Sequence, residues 1–523
     1  MSWLTQRLQN HFENHAHAPK IYDQGHWYTG ETILKDIERI GGYLSEAGVT
    51  PGDRILLSYP NSYSFIVIYL AVLHYGATVA PINPTMPASE LYAFVKRSQP
   101  KYGFVGSNHL ALLQQEDFGE SLDTLFLVDG GSSSLSCKHY AYNKSEKLWE
   151  EGVLISTSSD RGHNEPSEET LAILLYTSGT TGNPKAVGLQ HHHLLVTINN
   201  IIYSHHLSDS DVAYCFLPLF HINAQVVAFL STCLSGGRIV IAPKFSASKF
   251  WSTIEKQKIT WVSAVPTIIS ILLKAGRPES TPKHLRFIRS ASAQLPRLTA
   301  QRFEKNFGIP IIESYGMTEA ASQICINPLP PQKRLLGSVG LPIGVNLRIV
   351  NDQDQLLPPN EVGEITIQGD NVIDAYTQAD HQNDFKNGWF HTGDLGYQNE
   401  EGYVFIVGRK KEMINRGGQK ISPYEVEDTI RELPEVEQVA VIGLADSLYG
   451  ETVCAYVVTK EKDVDGQHQN LLDKILAHCR RALSSYKCPS YVHIVKEIPV
   501  GPTGKIQRHL LKQQKDVISV IQS

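Results

Sequence analysis

Three observations predict an α/β fold with a large N-terminal domain and a small C-terminal one. Helix-like and strand-like apolar segments alternate through the first part of the chain, short alternating strands take over after Gly340, and a compact mixed unit follows Gly408. With 523 residues, the chain also exceeds the roughly 250 to 300 at which single cores stop growing, so at least two domains are expected.

The segment Ser64 to Val79 is mostly apolar, is broken at Gly76 and is followed by Pro81 and Pro84, which reads as helix, turn and buried strand. Comparable alternation recurs at His192 to Asn200, Arg238 to Ala242, Ser248 to Gln257, Thr260 to Val265 and Leu298 to Phe307, and implies a largely parallel sheet. The polar patch Ser156 to Gly162 reads as a surface connection. Strands at Asn346 to Val350 and Glu364 to Gln368, separated by Asn351-Asp352 and Pro358-Pro359-Asn360, mark a β-rich subdomain at 340–408. Ser422-Pro423 then opens a helix, followed by the segments Val436 to Gly443 and Thr452 to Thr459, a helix around Leu471 to Leu483, and Tyr491 to Val495. This is an α+β unit, and the expected division is 1–408, a hinge at 409–412, and 413–523.

Composition narrows the function. Hydrophobic residues make up 42% and charged residues 19%, and the net charge of −6 argues against a general nucleic-acid binder and for small-molecule partners. The longest uninterrupted apolar run, Phe65 to Leu73, falls far short of the roughly 20 residues of a membrane-spanning helix, so no span is expected. Neither Met1-Ser2-Trp3-Leu4-Thr5-Gln6-Arg7 nor Ile521-Gln522-Ser523 reads as a targeting signal, and a soluble cytoplasmic enzyme is expected. Seven scattered cysteines without a C-x-x-C pair read as reduced, mostly buried thiols, and adjacent residues His191-His192-His193 point in different directions and cannot converge on one ion.

The most informative segment is Thr177-Ser178-Gly179-Thr180-Thr181-Gly182-Asn183-Pro184-Lys185, after the apolar run Leu171 to Leu175. Small residues let backbone N–H groups approach phosphate oxygens, the hydroxyls add donors, and Lys185 adds a mobile positive charge. Asn183-Pro184 separates Gly182 from Lys185, unlike G-x-x-x-x-G-K-[ST], which disfavours Walker-type hydrolysis. An ordinary turn between a buried strand and a helix is the bland alternative.

Four further segments follow in order: Tyr315-Gly316-Met317-Thr318-Glu319, Trp389-Phe390-His391-Thr392-Gly393-Asp394, Gly408-Arg409-Lys410-Lys411-Glu412 and Pro502-Thr503-Gly504-Lys505. With TSGTTGNPK, they make a chain that from Ala71 to Leu511 resembles the adenylate-forming (ANL) superfamily of acyl-CoA synthetases, peptide-synthetase adenylation domains and firefly-type luciferases. The stretch Phe287-Ile288-Arg289-Ser290-Ala291-Ser292-Ala293, with Asn327-Pro328-Leu329-Pro330, looks especially like the oxalyl-CoA synthetase branch, close to the 4-coumarate-CoA ligase-like enzymes.

The resemblance implies an ATP-dependent acid:CoA ligase using Mg2+. A carboxylate is first joined to AMP, because oxide is a poor leaving group, and the acyl-AMP is then attacked by a thiol. Lys505 would bridge substrate carboxylate and α-phosphate, and Lys185 would add charge to the phosphates. Thr318 would bond the α-phosphate, and Glu319 would hold the metal as an oxygen ligand. Tyr315 would stack on adenine, Gly316 would keep the acyl approach open, and Ser292 and Ala293 join the nucleotide set. Asp394 would accept from the ribose hydroxyls, with Arg409 beside it. Gly417, Gly418 and Lys420 would serve the pantetheine arm and phosphates of coenzyme A, with Lys487 or Arg416 as further cations. Two half-reactions in one site require the small domain to move, and Lys411 matches the hinge position.

By position, the acyl pocket comprises His221, Asn223, Val265, Ser290, Gly316, Met317 and Gln323. Asn223 and Ser322 stand where histidines are expected in the oxalyl branch, which weakens the case for a dicarboxylate and leaves a short or medium acyl chain open. A carrier protein is the alternative acceptor, and a homodimer is compatible with the chain.

Overall fold

A helix apolar on every face belongs between layers rather than on a surface, and Tyr63–Tyr75 occupies such a place. All of its residues except His74 are buried. Ser62 caps it by accepting from the Phe65 N–H at 3.2 Å, and Gly76, at φ 77°, ends it in the left-handed conformation that favours glycine. The computed structural model describes residues 1–115, 118, 121–130, 135–146, 148–152, 165–177, 184–278, 280–378, 384–460, 468–501, 506–511 and 517–522.

The helix packs into a core shared by two sheets, contributed by Ile55, Leu57 and Val79 from one and by Ile21, Ala213 and Ile239 from the other. The eight-stranded sheet runs in the order Lys185–Gln190, Leu171–Thr177, Thr78–Pro81, Arg54–Ser58, Tyr102–Val105, Thr124–Gly130, Leu135–Asn143, Leu148–Gly152. The nine-stranded sheet runs in the order Leu341–Pro342, Cys325–Ile326, Ile311–Tyr315, Phe287–Ser290, Trp261–Ala264, Val212–Cys215, Arg238–Ile241, Pro19–Asp23, His26–Thr29. The inner pairings are parallel, as expected from the alternation of elements. The edges are antiparallel hairpins that the alternation did not reveal.

One hairpin sets aside the bland alternative of an ordinary turn between a strand and a helix for the loop after Thr177. Thr177 and Lys185 are register partners at the end of an antiparallel pair, so the loop joins two strands and the helix His191–His205 begins only after the second. Ser178, Gly179, Thr180, Thr181 and Gly182 lie outside the described residues, as does the connection expected at Ser156 to Gly162.

The β-rich subdomain is a five-stranded antiparallel sheet built from Asn346–Val350, Gly363–Gln368, Phe385–Lys386, Trp389–Gln398 and Val404–Arg409. The strand Leu341–Pro342, inside the range expected for it, instead closes one edge of the nine-stranded sheet. After Arg409, a six-stranded sheet carries the helices Pro423–Arg431 and His468–Ala482 over its own core of Ile414, Val426, Val439, Val453, Ile475 and Val492. Ser422 caps the first helix, with Pro423 at its first turn as the Ser-Pro signal predicted. Five of the seven cysteines are buried and none forms a disulfide.

Candidate active site

The strand Ile311–Tyr315 runs out of the parallel sheet into a tight turn, Gly316-Met317, and one turn of 3-10 helix at Thr318–Ala320. Ala321 and Ser322 then take positive φ, 48° and 107°, and fold the chain back over Gly316. A Cβ on Gly316 would lie 1.3 Å from the Ser322 carbonyl oxygen. The glycine is therefore required by this backbone crossing, a local reason separate from the open acyl approach expected from the sequence.

The turn presents Tyr315 and Glu319 to two polar clusters. In the first, the Tyr315 hydroxyl donates to Asp394 Oδ2 at 2.6 Å, and Arg409 Nε lies 2.8 Å from Asp394 Oδ1. Asp394 is only 4% exposed, and its backbone N–H donates to Thr392 Oγ1 at 3.1 Å. Asp394 raises the pKa of Arg409, while burial, with Asp394 next, pushes that of the Tyr315 phenol up. The cluster thus holds one carboxylate, one guanidinium and a neutral phenol at the end of the strand Val404–Arg409.

In the second cluster, Lys185 pairs with Asp384, and its Nζ sits 3.4 Å from the Tyr376 hydroxyl and 4.8 Å from the centre of that ring. The Tyr376 hydroxyl donates in turn to Glu319 Oε1 at 3.3 Å. Burial raises the Glu319 pKa. Lys185 and Glu319, 134 positions apart in sequence, are thereby brought to one tyrosine. Tyr376 and Asp384 belong to none of the motif segments, and no local pattern announces them. A single buried carboxylate beside a lysine suits Mg2+, which is bound through one or two protein carboxylates plus substrate phosphates. No group of three or more histidine, cysteine or acidic side chains gathers as a metal site among the described residues.

The expected acyl pocket divides. Asn223 begins the helical segment Asn223–Leu230, and its Nδ2 donates to Ser292 Oγ at 3.3 Å. Ser292, at φ 72°, is a non-glycine residue held in the left-handed region just beyond the strand Phe287–Ser290. Ser290 belongs to the opposite face of the sheet from Arg289, and its buried hydroxyl has no hydrogen-bond partner among the described residues. Val265 packs in the core on that same far side, with Ile288 and Val262. Met317 packs against the core shared by the two large sheets, and Gln323, fully buried, donates to Ser204 Oγ at 3.1 Å. His221 N–H donates to Pro218 O at 3.0 Å, and the imidazole lies 4.3 Å from the Phe220 ring, centre to centre. Ala293 follows Ser292 in the loop before Arg297–Phe307.

In the small domain, Gly417 and Gly418 form a two-residue hairpin turn between Ile414–Arg416 and Gln419–Ile421, both at positive φ (57° and 87°). Lys420 is exposed and lies 4.0 Å from Asp352, which also pairs with Lys410 at 2.9 Å. Lys487 pairs with Glu425 at 2.7 Å, and Arg416 donates to Tyr486 O at 2.9 Å, so both cations are engaged inside the domain. Lys411 occupies the turn after Arg409, between the two sheets. Lys505 lies outside the described residues.

The chain matches the family model for "AMP-binding enzyme" over residues 8–377 and that for "AMP-binding enzyme C-terminal domain" over residues 425–505. It is 36% identical to the oxalate–CoA ligase of Arabidopsis thaliana over 489 residues, 91% of each chain. Identity to the sulfoacetate–CoA ligase of Cupriavidus necator is 34%, over 93% of this chain and 92% of that one. The ATP-bound structure of MatB from Rhodopseudomonas palustris superposes with a TM-score of 0.82 at 26% identity, covering 97% of this chain and 98% of that chain. Fold, motif order and coverage agree, and the chain belongs to the AMP-binding enzyme family, in its acyl-CoA synthetase branch.

Proposed function

We propose that this acyl-CoA synthetase adenylates a small carboxylic acid with ATP, releases pyrophosphate, and passes the acyl group to CoA. The observation that carries the reading is the arrangement of Lys185, Glu319, Tyr315, Asp394 and Arg409 in two adjoining polar clusters served by a single turn. Asp394, with two oxygens turned to Tyr315 and Arg409, suits the ribose hydroxyls, and Arg409 adds a donor. Thr318, the phosphate loop and Lys505 would complete the nucleotide set, with Lys505 in the role of bridging the reacting carboxylate and the α-phosphate. Glu319 would hold Mg2+, which neutralises charge developing on the phosphates.

Two relatives, named for oxalate and sulfoacetate, favour a small acid over a long acyl chain. Gly417, Gly418 and Lys420 form an exposed hairpin suited to the pantetheine arm and its phosphates. Residues 1–408 act as the ATP- and acyl-binding domain, 409–412 as hinge, and 413–523 as the domain that turns between half-reactions. Arg409 supports this division, since its side chain pairs with Asp394 where the last strand before the small domain ends.

The test is acid-dependent pyrophosphate release over short, medium, aromatic and dicarboxylic acids, with CoA or a phosphopantetheinylated carrier protein as acceptor. Release stimulated by a small acid, and thioester formed faster on free CoA, is the expected result. Faster acylation of the carrier would move the chain to the carrier-loading class, and absence of acyl-AMP from every acid would overturn the reading.

A further inference from the structure

Arg289 is one of the largest fully buried side chains, 1% exposed, and among the described residues it makes no ion pair. Its Nη1 donates to Asn223 Oδ1 at 3.3 Å and to Ser263 Oγ at 3.4 Å, and its Nη2 donates to Ser314 Oγ at 2.9 Å. Nε has no partner there. All three acceptors are neutral. Burial pulls the pKa down only to about 9, so the group remains a cation at neutral pH. An unpaired buried charge is strongly destabilising, and an anion arriving nearby would offset that cost.

The neighbours give this cation a direction. A guanidinium only donates, so the atom that Asn223 turns toward Arg289 must be its carbonyl oxygen. Ser263 reinforces the choice by donating to the same oxygen at 3.2 Å, while the Ser314 hydroxyl passes its proton on to Cys325 O at 2.8 Å. The Asn223 amide is thereby locked with Nδ2 facing Ser292 Oγ, and both Asn223 and Ser292 are half-buried. A fixed donor, backed by a buried positive charge, thus points toward the loop that carries Ser292 and Ala293. His205 is pushed well down by burial and then by Arg289, and adds no charge.

We propose that Asn223, oriented and polarised by Arg289, selects acids that carry a second anionic group, a carboxylate or sulfonate, a few bonds from the reacting carboxylate. Asn223 is the contact and Arg289 the positioning residue. The cation missing from position 223 itself is supplied from the strand behind it. This rests on the reading of the chain as a small-acid ligase and narrows its substrate class.

The test compares kcat/KM of the full-length enzyme for anionic acids (oxalate, malonate, succinate, sulfoacetate) with that for neutral acids of matched length (acetate, propionate, butyrate), using pyrophosphate release as readout. Wild type is expected to prefer at least one anionic acid over its neutral partner. Asn223→Ala and Arg289→Met should each lower that ratio by about 10- to 100-fold, mainly through the KM of the anionic acid, the range expected for a hydrogen bond to a charged group. Arg289→Lys should restore part of it. Asn223→Ala, which removes a half-buried side chain, keeps the test open if Arg289→Met fails to fold. A wild-type preference for neutral acids, or a ratio unmoved in Asn223→Ala, overturns this proposal and leaves the ligase reading intact. Failure to activate any acid overturns both.

Discussion

Asp394 and Arg409 are register partners across two antiparallel strands, and their side chains close the pair with 2.8 Å between Oδ1 and Nε. A carboxylate that suits a ribose is therefore tied to the residue that begins the passage into the small domain. Tyr315 holds the other oxygen of the same carboxylate, so the end of the parallel sheet and the last two strands of the β-rich sheet meet at one side chain.

Removing that charge should be felt in nucleotide binding. Asp394→Asn keeps the volume and one acceptor but leaves Arg409 without its ion pair, and the KM for ATP is expected to rise about tenfold or more. Steady-state kinetics at saturating acid would measure it, and an unchanged KM would show that the pair serves structure alone.

Lys505→Ala should reduce acid-dependent pyrophosphate release by about 100- to 1000-fold, the scale of losing one group that stabilises developing charge. Thioester formation from supplied acyl-AMP should lose much less. Single-turnover assays of the two halves separate these outcomes.

Gly316→Ala places a methyl group where the Ser322 carbonyl already sits. Backbone must shift to admit it, at a cost of about 1–3 kcal/mol. Thermal denaturation should show the loss together with reduced adenylation, since Glu319 lies on the same turn.

Glu313 links stability to pH. Its side chain is buried, accepts from the Gly337 N–H at 2.8 Å, and has its pKa pushed up to about 7 by burial, with Asp428 and Glu304 adding like charge and Arg334 opposing. The folded value lies above the unfolded one, so the folded state binds the proton more tightly. Stability is fully retained below the unfolded carboxylate range near pH 4.5 and is lost as pH rises toward 7. Glu313→Gln keeps the acceptor without the ionisation. It is expected to be more stable than wild type at pH 8 by about 1–3 kcal/mol and equal to it near pH 4.5. Parallel denaturation curves across this range check the sign.

The family, the order of its motifs and most helices and strands of the interior were legible in the residues, because periodicity, caps and turn chemistry act over a few positions. Tyr63–Tyr75 announced itself by its apolar run and Gly76, and Pro423–Arg431 by Ser422-Pro423. What came only with the fold was partnership between distant positions. Tyr376 joins Glu319 to Lys185, Thr177 pairs with Lys185 at the end of an antiparallel ladder, and Ser322 explains Gly316. The asparagine at 223 reads from sequence as a lost cation, and the sheet sets Arg289 behind it. Such pairings depend on strand order and on which face a side chain takes, and tertiary packing alone decides those.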